Sequence, residues 1–101
     1  MKIRDLLAVE SIDLHGAAAN KSEALDKMVE LMAKSGKLGD VENYRKGVYE
    51  RERECTTGIG AGIAIPHCKS WAVSRPGLAA MVVRGGVDFD SLDGKKVQLI
   101  F

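Results

Sequence analysis

The sequence predicts an α/β fold: one domain over residues 1–101, built as a mixed β-sheet flanked by helices. Two segments, 21–35 and 41–54, carry apolar residues at helical spacing behind a capping residue. Between and around them stand short runs that alternate or are wholly apolar, at 11–14, 63–65, 78–83 and 97–101, as strands of a buried or half-buried sheet do. A chain of 101 residues that is 46% apolar and 29% charged has room for one small core, and no repeat, linker or low-complexity stretch divides it.

In chain order, residues 1–9 mix Ile3, Leu6 and Leu7 with Lys2, Arg4 and Asp5, enough for one turn of helix over a core edge. Ser11-Ile12-Asp13-Leu14 has the half-buried strand pattern. His15 follows with no glycine loop or proline beside it and reads as structural or solvated. Asn20 caps the first helix, Glu23 completes a capping box three residues on, and Gly36 follows the last turn. Leu25, Met28, Val29 and Met32 share one face, while Glu23/Lys27 and Glu30/Lys34 are i,i+4 pairs on the other. The apolar face drives docking, since each buried large side chain contributes about 1.5–3 kcal/mol against about 0.5 for a surface pair. The methionines are therefore core positions.

Lys37-Leu38-Gly39-Asp40 is a connector whose Asp40 caps a second helix with Val41, Tyr44 and Val48 on one face. Gly47 weakens that helix by about 1 kcal/mol relative to Ala. In Glu50-Arg51-Glu52-Arg53-Glu54, residues Glu50, Arg53 and Glu54 read as a solvated face, whereas Arg51 continues the 44/48 face and comes within reach of the following loop. Past His67, Ser70 caps a short turn carrying Trp71 and Val73, broken by Arg75-Pro76-Gly77; Trp71 reads as covering a hydrophobic edge, with the rim of a partner surface as the alternative. Leu78–Val83 is apolar on both faces, as a central strand is. Gly85-Gly86 turns, Val87 and Phe89 alternate with Asp88 and Asp90, and Asp93-Gly94 marks a hairpin before the last strand, in which residues 97, 99 and 101 point one way and Ile100 the other.

Fifteen basic and fourteen acidic residues are interleaved and leave a net charge of +1. That distribution argues against a nucleic-acid footprint or a polybasic membrane patch and favours protein partners. No apolar run approaches the roughly 20 residues of a transmembrane helix and the N-terminus lacks a signal-peptide core, so a cytoplasmic domain is expected. Cys55 and Cys68 read as reduced. A zinc site from Cys55, His67 and Cys68 would lack a close-spaced cysteine pair, so no metal and no cofactor are expected.

Chemistry concentrates in Thr57-Gly58-Ile59-Gly60-Ala61-Gly62-Ile63-Ala64-Ile65-Pro66-His67. Gly58, Gly60 and Gly62 admit positive φ and close approach, and exposed N–H groups in such a loop favour an anion, which marks them as a phosphate-binding loop. Ile63 and Ile65 alternate around Ala64 as a strand, and Pro66 ends its pairing, displaying His67 at a strand end. Imidazole is nucleophilic and exchanges a proton near neutral pH, so a histidine beside an anion-friendly loop suits phosphoryl acceptance. The spacing is wrong for a dinucleotide fingerprint, and a P-loop's Gly-Lys-Ser/Thr is absent.

From Arg51-Glu52 through Thr57-Gly58-Ile59-Gly60, Gly62–His67 and Lys69-Ser70, and more loosely over nearly the whole chain, the sequence resembles the fructose/mannitol-type (type-2) enzyme IIA domain of the bacterial sugar phosphotransferase system. The resemblance implies that His67 takes a phosphoryl group on Nε2 from the phosphocarrier HPr and passes it to a cysteine of enzyme IIB, without a metal. The membrane is then met only through enzyme IIC. Arg51, sixteen residues before His67, matches the family's active-site arginine. Two departures stand out. Cys68 replaces a common glycine, and relatives continue past Phe101 through more helix and strand carrying a second active-site histidine. The C-terminal part of the fold is thus expected to be missing, leaving an apolar patch or free strand edge and favouring self-association or local disorder. Two other readings are a nitrogen-type or regulator-embedded enzyme IIA and a non-catalytic module whose loop only binds an anion or a protein.

Overall fold

The computed structural model describes residues 7–36, 38–67 and 77–101. Its elements are β1 (Leu7–Asp13), α1 (Lys21–Ala33), α2 (Val41–Glu54), β2 (Gly58–Gly60), β3 (Ile63–Ala64), β4 (Leu78–Val87) and β5 (Val97–Ile100). The strands form one sheet in the order β1-β4-β5-β3-β2. β1 runs parallel to β4 and β3 to β5, while β4/β5 and β2/β3 are antiparallel, so the sheet is mixed as expected.

Both helices form where their caps place them. Asn20 Oδ1 accepts the Glu23 N–H at 2.9 Å, and Asp40 Oδ1 accepts the Asn43 N–H at 3.1 Å. α1 stops at Ala33 rather than at 35, because Ser35 returns both its N–H and its hydroxyl to the Met32 carbonyl, at 3.1 and 2.6 Å, and tightens the last turn. The predicted face, Leu25, Met28, Val29 and Met32, is buried, joined by Ala24 and Leu31, and lies against β4, β1 and α2. Glu23 and Lys27 pair at 3.6 Å, whereas Glu30 and Lys34 form no ion pair. The two helices are tied through Asp26, whose Oδ1 accepts from Arg45 Nη1 at 2.7 Å and from the Tyr49 hydroxyl at 2.9 Å. Burial, and then the bond to Asp26, pushes the Tyr49 phenol up from its ordinary pKa.

The strands depart from expectation in phase. β1 starts at Leu7, not Ser11, so residues 7–9 are extended where a helical turn was expected. Ser11 is buried and Leu14 is 61% exposed, the reverse of a simple alternation. The pairing with β4 shifts register between Leu7 and Ile12, which changes the face each residue presents. β4 is the central strand, with Ala79, Met81 and Val83 buried and Leu78, Ala80 and Val82 half-buried. It also runs through Gly85-Gly86, which the sequence reads as a turn. Gly86 has φ +76°, and a Cβ there would lie 2.9 Å from the Lys96 Cβ, so the pair bends the strand without ending it. The reversal comes at Ser91–Gly94, where the Gly94 N–H bonds the Ser91 carbonyl at 2.9 Å. In β5, Val97 and Ile100 are buried while Leu99, and Phe101 just after the strand, are exposed. The Gly62 carbonyl accepts the N–H groups of both Gln98 and Leu99, at 2.8 and 2.9 Å; two residues facing one is a bulge, and it flips the expected phase. The turn expected over Ser70–Val73, Trp71 and Cys68 lie outside the described residues.

Candidate active site

β2 and β3 form a hairpin whose turn holds three successive left-handed residues, Gly60 (φ +108°), Ala61 (φ +55°) and Gly62 (φ +78°). Gly58 meets a different demand. A Cβ there would fall 2.3 Å from Ser91 Oγ and 3.0 Å from Ser91 Cα, so the glycine admits the segment after β4 against the hairpin. The Leu92 N–H then bonds the Gly58 carbonyl at 3.0 Å. Two donors of this loop are spent within the chain: the Gly58 N–H on Thr56 Oγ1 at 3.0 Å, and the Ala61 N–H on Asp93 Oδ2 at 3.1 Å. Backbone N–H groups of Lys95, first, and Ala61 hold the Asp93 carboxyl below its ordinary range. The anion seated at this turn is therefore the protein's own carboxylate.

Beyond β3 the chain is clamped on two sides. The Ala64 carbonyl accepts the Phe101 N–H at 3.0 Å, and the Ile65 N–H donates to the Thr57 carbonyl at 3.0 Å. Pro66 then fixes φ, and His67 follows with its ring exposed and Nδ1 2.7 Å from the Ile65 carbonyl oxygen. A carbonyl only accepts, so Nδ1 is the nitrogen that carries the proton here, and in the neutral ring Nε2 keeps the lone pair. The imidazole borders a largely apolar cavity of about 330 Å³, walled by Met28, Met32, Tyr44, Val48 and Pro66 among others, with Phe101 at its side.

α2 delivers the charged groups. Arg51 is half-buried and donates from Nη1 to the Cys55 carbonyl at 2.8 Å, so it does reach the loop that follows, at its first residue. It is not part of the cavity wall beside His67. Glu50, Arg53 and Glu54 are exposed, as read from the sequence. His15 is exposed as well, its N–H on Asp13 Oδ1 at 2.9 Å.

Glu52, which sequence reasoning passed over, is the buried charge of the region. Its side chain is 5% exposed, and its Oε2 lies 2.8 Å from Lys21 Nζ and accepts the Thr57 N–H at 2.8 Å, while Oε1 accepts the Thr57 hydroxyl at 2.5 Å. Burial works to raise its pKa, but the bonds from Lys21 and Thr57 outweigh it and hold the carboxyl below its ordinary value. One signal was available: Glu52 stands four residues after Val48, on the buried stripe that begins at Tyr44.

A family model described as phosphoenolpyruvate-dependent sugar phosphotransferase system, EIIA 2, matches residues 5–101. The chain belongs to this family. It is 42% identical over its full length to the fructose-specific EIIABC component of Bacillus subtilis, of which it spans 16%. Among solved structures, the nitrogen regulatory protein IIA-Ntr of Neisseria meningitidis superposes with a TM-score of 0.88 at 30% identity, over 98% of this chain and 67% of that one. Enzyme IIA for mannitol from Escherichia coli, solved in complex with phosphorylated enzyme IIB, superposes with a TM-score of 0.81 at 27% identity, over 94% of this chain and 68% of that one. This EIIA domain thus spans about two thirds of each of these two solved chains. No helix among its described residues is long and apolar enough to cross a membrane.

Proposed function

We propose that the domain is a phosphocarrier in which Nε2 of His67 accepts a phosphoryl group from phospho-HPr and hands it to a cysteine of an enzyme IIB, in the cytoplasm. The observation that carries this reading is the exposed imidazole whose Nδ1–H is tied to the Ile65 carbonyl at 2.7 Å, which leaves Nε2 as the nucleophile. In the first half-reaction the Nε2 lone pair forms the new N–P bond as the donor's P–N bond breaks and its electron pair returns to the donor imidazole. In the second, a thiolate attacks phosphorus and the N–P pair returns to Nε2. The Nδ1 proton stays in place throughout. Such a loose transfer asks the protein mainly for positioning and positive potential. One of the five N–H donors of Arg51 is spent on Cys55, and the others supply the fork for phosphoryl oxygens. Gly58, Gly60 and Gly62 serve phosphate binding by giving the hairpin its left-handed turn and its close packing on the segment after β4, since two of the loop's donors are already taken.

The 42% identity to a fructose-specific component supports sugar uptake of the fructose type. The fit to a nitrogen regulatory protein supports a second reading, with the same phosphohistidine and a regulatory output. Incubation with enzyme I, HPr and labelled phosphoenolpyruvate tests the common part. We expect an acid-labile label that is lost in His67→Ala and kept in His15→Ala; the opposite pattern, or no label at all, would sink it. Donation onward to a fructose enzyme IIB separates uptake from regulation.

A further inference from the structure

We infer that Glu52 is a positioning residue for His67, acting through Thr57 and Ile65 to hold the imidazole in the tautomer that leaves Nε2 free. This rests on the phosphocarrier reading of His67. The links are continuous: the Glu52 carboxylate grips both the N–H and the hydroxyl of Thr57, at 2.8 and 2.5 Å; the Thr57 carbonyl holds the Ile65 N–H at 3.0 Å; the Ile65 carbonyl holds His67 Nδ1 at 2.7 Å. The two buried members, Glu52 and Thr57, are fixed. Thr57 is 2% exposed, and Lys21 Nζ, 2.8 Å from Glu52 Oε2, sits 5.3 Å from the centre of the Phe89 ring, so the carboxylate has Lys21 and the Thr57 N–H on Oε2, the Thr57 hydroxyl on Oε1, and little freedom to turn.

A carboxylate in the last turn of a helix faces the negative end of the helix dipole, so this is a poor place for an acid whose only task is to close α2. What the acid does there is hold residue 57, and residue 57 has one outward commitment, the carbonyl bond to Ile65. Without the carboxylate, Thr57 has two buried donors unanswered, its backbone is free to rotate toward other acceptors, and the Ile65 carbonyl loses its fixed direction under the imidazole. The ring can then redistribute its proton onto Nε2, the atom that must attack.

The test reads the tautomer and the transfer separately. Long-range proton–nitrogen spectra of the 15N-labelled 101-residue chain, unphosphorylated, should show His67 as the Nδ1–H form in the wild type. Glu52→Ala should shift it measurably toward Nε2–H, with Glu52→Gln, which keeps one acceptor for Thr57, lying between. Phosphoryl transfer from phospho-HPr should fall by about tenfold to a hundredfold in kcat, as a small misplacement costs, with KM for the donor protein nearly unchanged. A folded Glu52→Ala with wild-type His67 signals and kcat overturns the inference. If Glu52→Ala does not fold, Glu52→Gln and Thr57→Val, which removes only the hydroxyl link, decide: wild-type His67 signals in both overturn it. A wild type that takes no phosphoryl group defeats the phosphocarrier reading alone, because the tautomer comparison needs none.

Discussion

At Gly58 and Ser91 the packing of single atoms decides the outcome. A methyl group at residue 58 would lie 2.3 Å from Ser91 Oγ and 3.0 Å from its Cα, the second of which no rotamer relieves. Gly58→Ala is predicted to lower stability by about 1–3 kcal/mol in denaturant unfolding, the usual cost of overpacking. The Ser91 hydroxyl is buried and has no hydrogen-bond partner among the described residues, so Ser91→Ala should be neutral or should stabilise by up to about 1 kcal/mol. Arg51→Ala should cost about 1 kcal/mol of stability through the lost Cys55 bond but at least about tenfold in transfer rate, while the exposed Arg53→Ala should be nearly silent in both. Equal effects of the two substitutions on a transfer assay would remove any special role for Arg51. Gly58 was legible as a glycine that something approaches closely. That the neighbour is Ser91 was not, because the contact joins segments far apart in the chain and leaves no local trace.

Among the elements, α1 and α2 were legible because a cap and a 3.6-residue stripe are local facts. Asn20, Asp40 and Gly36 act where the sequence put them. Strand phase was not legible, since the register shift in β1 and the bulge at Gln98-Leu99 depend on the strand alongside. The site divided the same way: the glycine turn, Pro66 and His67 stood out, while Glu52 hid in a run of alternating charges, with its place on the Tyr44/Val48 stripe as the one local sign, and its role shows once Thr57 and Lys21 close over it. That junction of α2 and β2 makes stability pH-dependent. With its folded-state pKa held below the ordinary 4.5, Glu52 contributes fully above about pH 4.5, and the contribution is lost as pH falls through the lowered value. Glu52→Gln should therefore flatten the acid side of the stability profile below pH 4.5 and leave its neutral side parallel to the wild type. Glu52→Ala should lower stability by about 2–4 kcal/mol, since Lys21 and both Thr57 donors lose their partner.

For the whole molecule, the radius of gyration of 12.7 Å is that of a compact domain of this length, about 13 Å. Its surface is less finished. β1 and β2 are the outer strands of the sheet, Val9 on β1 is 82% exposed, and Ile59, Ile65, Leu92 and Phe101 are each at least 40% exposed around the hairpin and the cavity beside His67. We predict that the chain self-associates with rising concentration, and a monomer by sedimentation at all concentrations tested would contradict that. The central claim concerns one atom. Nitrogen–phosphorus couplings in the 15N-labelled, phosphorylated chain locate the phosphoryl group directly. The geometry predicts a single N–P bond at Nε2 of His67, with Nδ1 still protonated; phosphorus on Nδ1, on His15 or on any other residue would contradict it.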